Sequence, residues 1–283
     1  PAFIELRKQR PKSVRVIGNL ESSDEIMNNT LFLGTYPGLT HFIEPEAPVL
    51  VLCGDICYYK HEHFIPFFRE ASVGFEYVIF VPGNHEYYMK SYVDLNFNTF
   101  ELADIEMRDN LSKFKNVYFL QKDTVVINNI KFIGTTLWYE NFDKNKLNDI
   151  IPTQNCNFIL YNKNLMPHPT IIDNINKDQY NWLKEEVKYK EGYYTVVITH
   201  YLPSNKCITE DYLKSPDNFL FITDCESLLK SVNYWMYGHT HIGKKFTIDN
   251  SLLISNPYGL PREQHRYKNK NNSIISIPSV ALM

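Results

Sequence analysis

The chain has 283 residues, enough for one large α/β domain or two small ones, and its 44% hydrophobic and 22% charged residues exclude a disordered chain. Its 29 Lys and Arg against 32 Asp and Glu give a net charge of −3, so unselective binding to nucleic acid or to anionic membranes is not expected. The longest apolar runs are of strand length, which predicts no membrane-spanning segment. Five cysteines without a CxxC pair predict reduced thiols and a cytoplasmic protein.

The first half of the chain alternates short apolar runs with helical patterns, as expected of an α/β protein. The apolar run at residues 47–53 has the composition of a strand that is buried on both faces. Asn128 and Asn129 separate two β-rich runs and predict a two-residue hairpin turn, because Asn tolerates positive φ. The predicted elements are strands at 14–17, 47–53 and 77–81, helices at 61–71 and 92–114, and β-rich segments at 117–120 and 125–137.

The second half continues this alternation up to a final edge strand. Residues 139–171 are rich in Asn and Pro and carry little pattern, so we interpret them as a surface insertion rather than a boundary. We therefore predict a single domain over residues 1–283. The predicted elements are helices at 173–190 and 227–232, strands at 194–199, 234–237 and 273–277, and a hairpin formed by 245–248 and 252–255.

Side chains able to bind a metal follow four of the predicted strands. In open α/β sheets the loops at the carboxyl ends of strands converge, so these side chains are expected to share one site. Each short motif alone also occurs as an ordinary turn, helix cap or exposed histidine pair, and it is their ordered combination that predicts a site. In chain order the residues are Asp55, Asn84, His85, His200, His239 and His241.

The mixture of donor atoms predicts which metals the site takes. Carboxylate and amide oxygens together with imidazole nitrogens suit Mn²⁺, Fe or Zn²⁺ better than Ca²⁺ or Cu(I). The carboxylate of Asp55 has two oxygens and is able to bridge two ions, which would polarise a phosphoryl group together. We therefore expect one or two divalent transition metal ions as cofactors, with Mn²⁺ as the first choice.

The order of these motifs resembles the calcineurin-like metallophosphoesterase superfamily, over residues 14 to about 262. Residues 80–88 and 132–138 resemble its small bacterial-type phosphoesterase branch. The resemblance implies an α/β fold, a four-layer α/β/β/α sandwich of two mixed β-sheets flanked by helices, with a two-metal centre at the strand ends. The motifs are Gly54-Asp55, Gly83-Asn84-His85-Glu86, Thr199-His200 and Gly238-His239-Thr240-His241.

The resemblance also implies a role for each matching residue. Asp55 resembles the carboxylate that bridges the two metals, and His241 resembles a ligand of the first metal. Asn84, His200 and His239 resemble the remaining ligands of the second metal. These five residues would therefore bind the two ions.

Two further residues of the second motif take other roles. His85 resembles the non-ligand histidine that stabilises charge and protonates the leaving oxygen, and a histidine that is protonated near neutral pH suits both tasks. Glu86 is expected to orient this loop or to cap the helix that follows.

The first motif departs from the family pattern. Asn19 and Glu21 stand where family members usually have Asp and His, so this Asp-x-His motif is degenerate. The exchange keeps one neutral donor and one carboxylate, and the formal charge around the two ions is unchanged. Three outcomes stay open: an altered first metal site that includes Glu21, one tightly bound ion only, or a catalytically silent site.

The expected function is hydrolysis of a phosphate monoester, a small phosphodiester or a nucleotide by metal-activated water. Arg262 is a candidate for binding the substrate phosphate, with a solvated surface arginine as the alternative. The competing hypothesis is an impaired or silent member of the superfamily that acts as a binding scaffold, and a nuclease ranks third. A small phosphorylated molecule is the expected partner, and the oligomeric state stays open.

Overall fold

The computed structural model describes residues 13–17, 43, 45, 47–87, 99–140, 169–189, 192–210, 213–215, 218–257 and 274–277. Within these ranges the chain forms two β-sheets, whose strands are numbered along the chain. The five-stranded sheet contains, in chain order, Ser13–Ile17 (β1), Val49–Leu52 (β2), Tyr77–Phe80 (β3), Val117–Phe119 (β4) and Ile274–Ser276 (β11). The six-stranded sheet contains Asp123–Ile127 (β5), Ile130–Thr135 (β6), Tyr194–Thr199 (β7), Tyr234–Tyr237 (β8), Lys244–Ile248 (β9) and Ser251–Ser255 (β10).

Both sheets are mixed. In the first, β1 to β4 run parallel and β11 pairs antiparallel with β1 at the edge of the sheet. In the second, β6, β7, β8 and β10 run parallel, with β5 and β9 added antiparallel at the two edges. Parallel strands direct their carboxyl ends to one edge, so each sheet has one edge at which several loops collect.

Helices cover the outer face of each sheet. Four α-helices are present among the described residues: Phe64–Gly74 (α1), Phe100–Leu111 (α2), Pro169–Glu186 (α3) and Glu226–Leu229 (α4). Helices α1 and α2 bury apolar side chains in one cluster with β2 and β3, while α3 and α4 share another with β6, β7 and β8. Within the described ranges no helix is long and apolar enough to cross a membrane.

Alternating residues of the central strands build the core between these layers. Leu50 and Leu52 face helices α1 and α2, whereas Val49 and Val51 face the second sheet. All four residues of β2 are buried, which confirms the prediction of a strand covered on both faces. The layers are therefore helix, sheet, sheet and helix, as expected for the four-layer α/β/β/α sandwich.

The predicted hairpins are confirmed, and the helix boundaries differ from those predicted. Asn128 and Asn129 adopt φ of 50° and 66° in the turn between β5 and β6. Helix α3 begins at Pro169, four residues before the predicted start at 173, because proline is tolerated in the first turn of a helix. Residues 169–171 therefore belong to α3, and only 141–168 of the predicted insertion lie outside the described residues.

The helix predicted at 92–114 is described from its N-cap onward. Thr99 caps α2 by accepting a hydrogen bond from the backbone nitrogen of Leu102 at 3.2 Å, and residues 88–98 lie outside the described part of the chain. Four of the five cysteines fall in the described ranges, where they are buried thiols that form no disulfide, as predicted for these four. The fifth, Cys156, lies outside them.

Candidate metal centre

The carboxyl ends of four strands, two from each sheet, meet at one place in the fold. Asp55 lies just beyond β2 and Asn84 beyond β3, while His200 follows β7 directly and His239 follows β8. Each of these side chains is buried, with between 0 and 7% of its surface exposed. The centre therefore lies at the junction of the two sheets, and neither sheet alone contains the whole set of side chains.

Tight backbone conformations bring the loops into contact. Gly54 has a φ of +86°, and the next residue, Asp55, has a φ of +58°. A Cβ atom on Gly54 would lie 2.6 Å from Nδ1 of His200, and one on Gly83 would lie 2.6 Å from the same nitrogen. Both loops therefore pass directly against the ring of His200, and only glycine permits this approach.

The ring of His200 is oriented by a backbone carbonyl. Its Nδ1 lies 2.7 Å from the carbonyl oxygen of Cys53, and since a carbonyl only accepts, Nδ1 carries a proton and donates it. In the neutral ring, the lone pair is then on Nε2. The hydrogen bond of one ring nitrogen thereby leaves the other available as a ligand.

Three further electron-pair donors surround Nε2 of His200. The Oδ1 atom of Asn84 lies at 2.9 Å, Nδ1 of His239 at 3.1 Å, and Oδ2 of Asp55 at 3.3 Å. Oδ2 of Asp55 is buried and has no hydrogen-bond partner within the described ranges. Lone pairs that face one another repel unless a proton or a cation lies among them, so with a neutral His200 this arrangement fits a bound metal ion.

Electrostatic interactions favour the ligand forms of two of these groups. Burial alone would raise the pKa of Asp55, but the charges of His200 and His85 outweigh burial and hold that pKa well below its usual range. Burial and repulsion from His200 lower the pKa of His239 well below its usual range. For His200, burial lowers the pKa, but the charge of Asp55 outweighs this effect and raises it. Asp55 is thus ionised and His239 neutral, the forms in which each binds a metal.

The donor set fits a divalent transition metal ion. Ligand atoms of Asp55, His200 and His239 all lie within 4.8 Å of one another. Together with the amide oxygen of Asn84 they provide two oxygens and two imidazole nitrogens. Such a mixture suits Mn²⁺, Fe or Zn²⁺.

The buried carboxylate of Glu86 holds two of the ligand loops together. Its Oε1 accepts hydrogen bonds from the backbone nitrogens of Ile56 at 2.6 Å and Cys57 at 3.3 Å. Its Oε2 accepts from Asp55 at 2.9 Å and Gly83 at 2.6 Å. Glu86 therefore orients this loop and attaches it to the loop after β2, the first of the two roles expected for it.

Comparison with known proteins places the chain in a family. The model for calcineurin-like phosphoesterases matches residues 18–243. The chain belongs to this family. An uncharacterized protein of Acanthamoeba polyphaga mimivirus is 26% identical to this calcineurin-like phosphoesterase over 236 residues, 77% of this chain and 80% of its own.

A solved structure supports the fold. The phosphopantetheinyl hydrolase of Mycobacterium tuberculosis superposes on this calcineurin-like phosphoesterase with a TM-score of 0.70, over 96% of this chain and 98% of its own. The two sequences are 17% identical, so the likeness shows a shared fold. The predicted family and the predicted fold class are both confirmed.

The other predicted site residues of this calcineurin-like phosphoesterase are either outside the described residues or border the four buried side chains. Asn19 and Glu21, the degenerate first motif, lie outside the described residues, as does Arg262. His241 is half-buried, and its charge contributes to the lowered pKa of His239. His85 is also half-buried, and its backbone nitrogen donates a hydrogen bond to Oδ1 of Asp55 at 3.0 Å.

Aromatic rings hold His239 in place, and the sequence patterns did not predict them. The ring centroid of Tyr201 lies 4.3 Å from that of His239, and the centroid of Phe221 lies at 4.7 Å. Tyr201 directly follows the predicted ligand His200, but its place in the sequence does not indicate that its ring packs against His239. Phe221 is distant in sequence and matches no motif, because its role depends on tertiary packing.

The carboxyl group of Asp104, on helix α2, also has an unusual environment. The hydroxyl of Tyr87 donates a 2.5 Å hydrogen bond to Oδ1 of Asp104 on α2. Burial raises the pKa of Asp104 to about 7, assisted by repulsion from Glu101, although Tyr87 and the positive charge of Arg108 act in the opposite direction. At neutral pH this carboxyl group is therefore partly protonated in the folded protein.

Asp104 should make the stability of the metal-free protein depend on pH. The native protein retains this proton up to about pH 7, whereas the unfolded chain releases it near pH 3.8, so the free energy of unfolding falls as pH rises through this interval. Between pH 4.5 and 7.5 these two pKa values correspond to a fall of roughly 3 kcal/mol in the free energy of unfolding, and Asp104→Asn should remove most of it. Urea denaturation at pH 4.5 and 7.5, in the presence of a chelator, measures this change in the free energy of unfolding. The exposed Asp109→Asn on the same helix is the control, and equal pH dependence in both variants would contradict the expectation.

Proposed function

We propose that this calcineurin-like phosphoesterase is a metal-dependent hydrolase of a phosphate monoester, a small phosphodiester or a nucleotide. The observation that carries the proposal is the convergence of Asp55 Oδ2, Asn84 Oδ1 and His239 Nδ1 on Nε2 of His200. These four residues would hold one divalent transition metal ion, for which Mn²⁺ is the first choice to test and Fe and Zn²⁺ follow.

Different residues of the chain have different roles in the proposed reaction. When bound, the ion supplies Lewis-acid polarisation of a phosphoryl group and makes water nucleophilic near neutral pH. Asp55 contributes the negative charge that retains the ion, and the hydrogen bond from His200 to Cys53 keeps that ring oriented. The oxygen of water bonds to phosphorus and releases a proton to the solvent. As the bond to the leaving oxygen breaks, His85 stabilises the developing charge and donates its proton to that oxygen.

A second ion and a substrate contact form the further part of the proposal. His241, together with Asn19 and Glu21, would bind a second ion next to Asp55. The carboxylate of Glu21 would take the place of the usual imidazole. Arg262 would bind the phosphate of the substrate through its planar guanidinium group. The family match covers the positions of Asn19, Glu21 and His241 and ends at residue 243, before Arg262.

Metal analysis and an activity assay test the proposal directly. The protein is treated with a chelator, reloaded with Mn²⁺, Fe²⁺ or Zn²⁺, and assayed with p-nitrophenyl phosphate, bis(p-nitrophenyl) phosphate, nucleotides and a phosphopantetheinyl compound. A phosphopantetheinyl compound is included because the structural relative from Mycobacterium tuberculosis is named a phosphopantetheinyl hydrolase. We expect bound metal in a defined ratio to protein, and hydrolysis that requires it.

His85→Ala separates the proton donor from the metal ligands. Loss of a general acid lowers kcat by about 10²–10⁴-fold, so the variant should bind as much metal as the wild type and hydrolyse far less ester. His63→Ala, at the N-cap of α1, is the matched histidine control. A loaded protein that hydrolyses none of these esters would contradict the proposal and favour the binding scaffold.

A further inference from the structure

A network of partly buried hydrogen bonds close to the candidate metal centre joins the two sheets, and the half-buried Gln121 lies at the middle of it. Gln121 follows β4 of the five-stranded sheet, while Thr135 and Thr136 lie at the end of β6 in the six-stranded sheet. Oε1 of Gln121 accepts hydrogen bonds from Oγ1 of Thr135 and from the backbone nitrogen of Thr136, both at 2.9 Å. One side chain thus bridges the junction at which the metal ligands meet.

The orientation of the Gln121 amide follows from its partners. A backbone nitrogen only donates, so the amide atom next to the nitrogen of Thr136 must be the acceptor Oε1, and the other amide atom is the donor Nε2. Nε2 donates to the hydroxyl of Tyr87 at 3.0 Å and to Oγ1 of Thr136 at 2.9 Å. The Tyr87 hydroxyl uses its own proton on Asp104, so it accepts from Gln121.

These hydrogen bonds hold the segment that carries Asn84. The hydroxyl of Thr136 accepts from Gln121 and donates to the carbonyl oxygen of Pro82 at 2.8 Å. Pro82 and Tyr87 flank residues 83–86, so Gln121 restrains that segment on both sides, directly through Tyr87 and through Thr136 at Pro82. Gln121 is thereby connected to both ends of the segment that carries Asn84.

The same network reaches His200 on the other side of the junction. The carbonyl oxygen of Thr136 accepts hydrogen bonds from the backbone nitrogens of His200 at 3.2 Å and Tyr201 at 3.1 Å. Thr136 is fully buried, so its hydrogen bonds do not compete with water. Gln121 is thus linked through Thr136 to His200, and through Tyr87 and Pro82 to the segment of Asn84.

We propose that Gln121 is a positioning residue for the metal centre, which sets the separation between Asn84 on one sheet and His200 on the other. This role rests on the proposed metal-dependent function. Groups that orient metal ligands typically contribute 10–100-fold to metal affinity. Gln121 contacts neither ligand side chain directly and acts through Thr136 and Tyr87.

Two exchanges of an amide for a carboxylate test this role. Gln121→Glu keeps the size of the side chain and loses both donors. Asn116→Asp makes the same exchange just before β4, at the opposite end of that strand, where Nδ2 of Asn116 donates to the carbonyl oxygens of Ser72 and Phe75, both at 2.9 Å. Mn²⁺ affinity of the full chain, measured by calorimetry, should fall about 10–100-fold in the first variant and stay unchanged in the second.

A second variant and a second measurement keep the role testable if Gln121→Glu does not fold. Thr136→Val preserves the volume of the side chain and removes the hydroxyl that joins Gln121 to Pro82, so it should lower Mn²⁺ affinity in the same direction. In the metal-free proteins, Gln121→Glu and Thr136→Val should both speed hydrogen exchange at the His200 amide, and Asn116→Asp should not.

The outcomes separate this role from the proposed function. A wild-type protein that binds no Mn²⁺ overturns the metal site and the positioning role together. A wild-type protein that binds Mn²⁺, with equal affinity in Gln121→Glu, Thr136→Val and Asn116→Asp, overturns the positioning role alone. Weaker Mn²⁺ binding in Gln121→Glu and Thr136→Val, with unchanged binding in Asn116→Asp, supports the positioning role.

Discussion

Asp55→Asn is expected to abolish tight Mn²⁺ binding and to lower kcat/KM by about 10³-fold or more, because several kcal/mol of transition-state stabilisation depend on the bound ion. Asp55 supplies the only carboxylate in the cluster of possible metal ligands found among the described residues. The asparagine side chain has nearly the same shape but no charge, so the variant separates the charge of this residue from its packing.

Thermal unfolding with and without Mn²⁺ measures this effect without an enzyme assay. A ligand that binds only the native state raises its stability, so the wild-type protein should gain in Tm on addition of Mn²⁺ and Asp55→Asn should not. Asp173→Asn is the matched control, since Asp173 is 5% exposed and forms an ion pair with Lys177 on helix α3. If Asp55→Asn gains as much stability from Mn²⁺ as this control does, the metal site is not built around Asp55.

Gly83→Ala is expected to destabilise the protein by about 2–4 kcal/mol and to weaken metal binding about 100-fold, because the added methyl group has no space. Its Cβ would overlap Oδ1 of Asp55 and would lie 2.6 Å from the ring of His200. The loop after β3 must then move away from the loop after β2. That movement would also stretch the hydrogen bond from Gly83 to Glu86.

Gly74→Ala provides the contrast within the same chain. Gly74 ends helix α1, and the nearest atom to its added Cβ is 3.9 Å away, in Pro45. Alanine at such a position usually stabilises a protein by about 0.4–1 kcal/mol, because it restricts the unfolded chain. Chemical denaturation compares the free energy of unfolding of the two variants, and Mn²⁺ titration compares their metal affinity. Equal stability and equal affinity in the two would show that the close approach at Gly83 is not required.

The centre depends on both sheets, and this has a consequence for its stability. Asp55 and Asn84 come from the first sheet, and His200 and His239 from the second. A bound ion would therefore join the two sheets across the apolar core between them. Binding of the ion and packing of the sheets should stabilise each other, since both require the same relative position of the strands.

The order of the motifs along the chain was sufficient to predict the family and the fold class. Several strands were predictable because their apolar runs stop close to a glycine or a proline, as β2 does before Gly54. Polar residues just after such runs predicted which side chains meet, since the carboxyl ends of parallel strands lie at one edge of a sheet. The start of α3 was misplaced because local patterns mark helix ends poorly.

Local sequence by itself therefore determined the strands, the turns between them and the candidate ligand side chains, because apolar periodicity and turn residues act over short distances. Tertiary structure alone decided which protein groups orient those ligands: the carbonyl of Cys53 on His200, the rings of Tyr201 and Phe221 against His239, and the amide of Gln121 between the sheets. Most of these contacts join residues far apart in the chain. No spacing rule applies to them, since they form only when the two sheets pack.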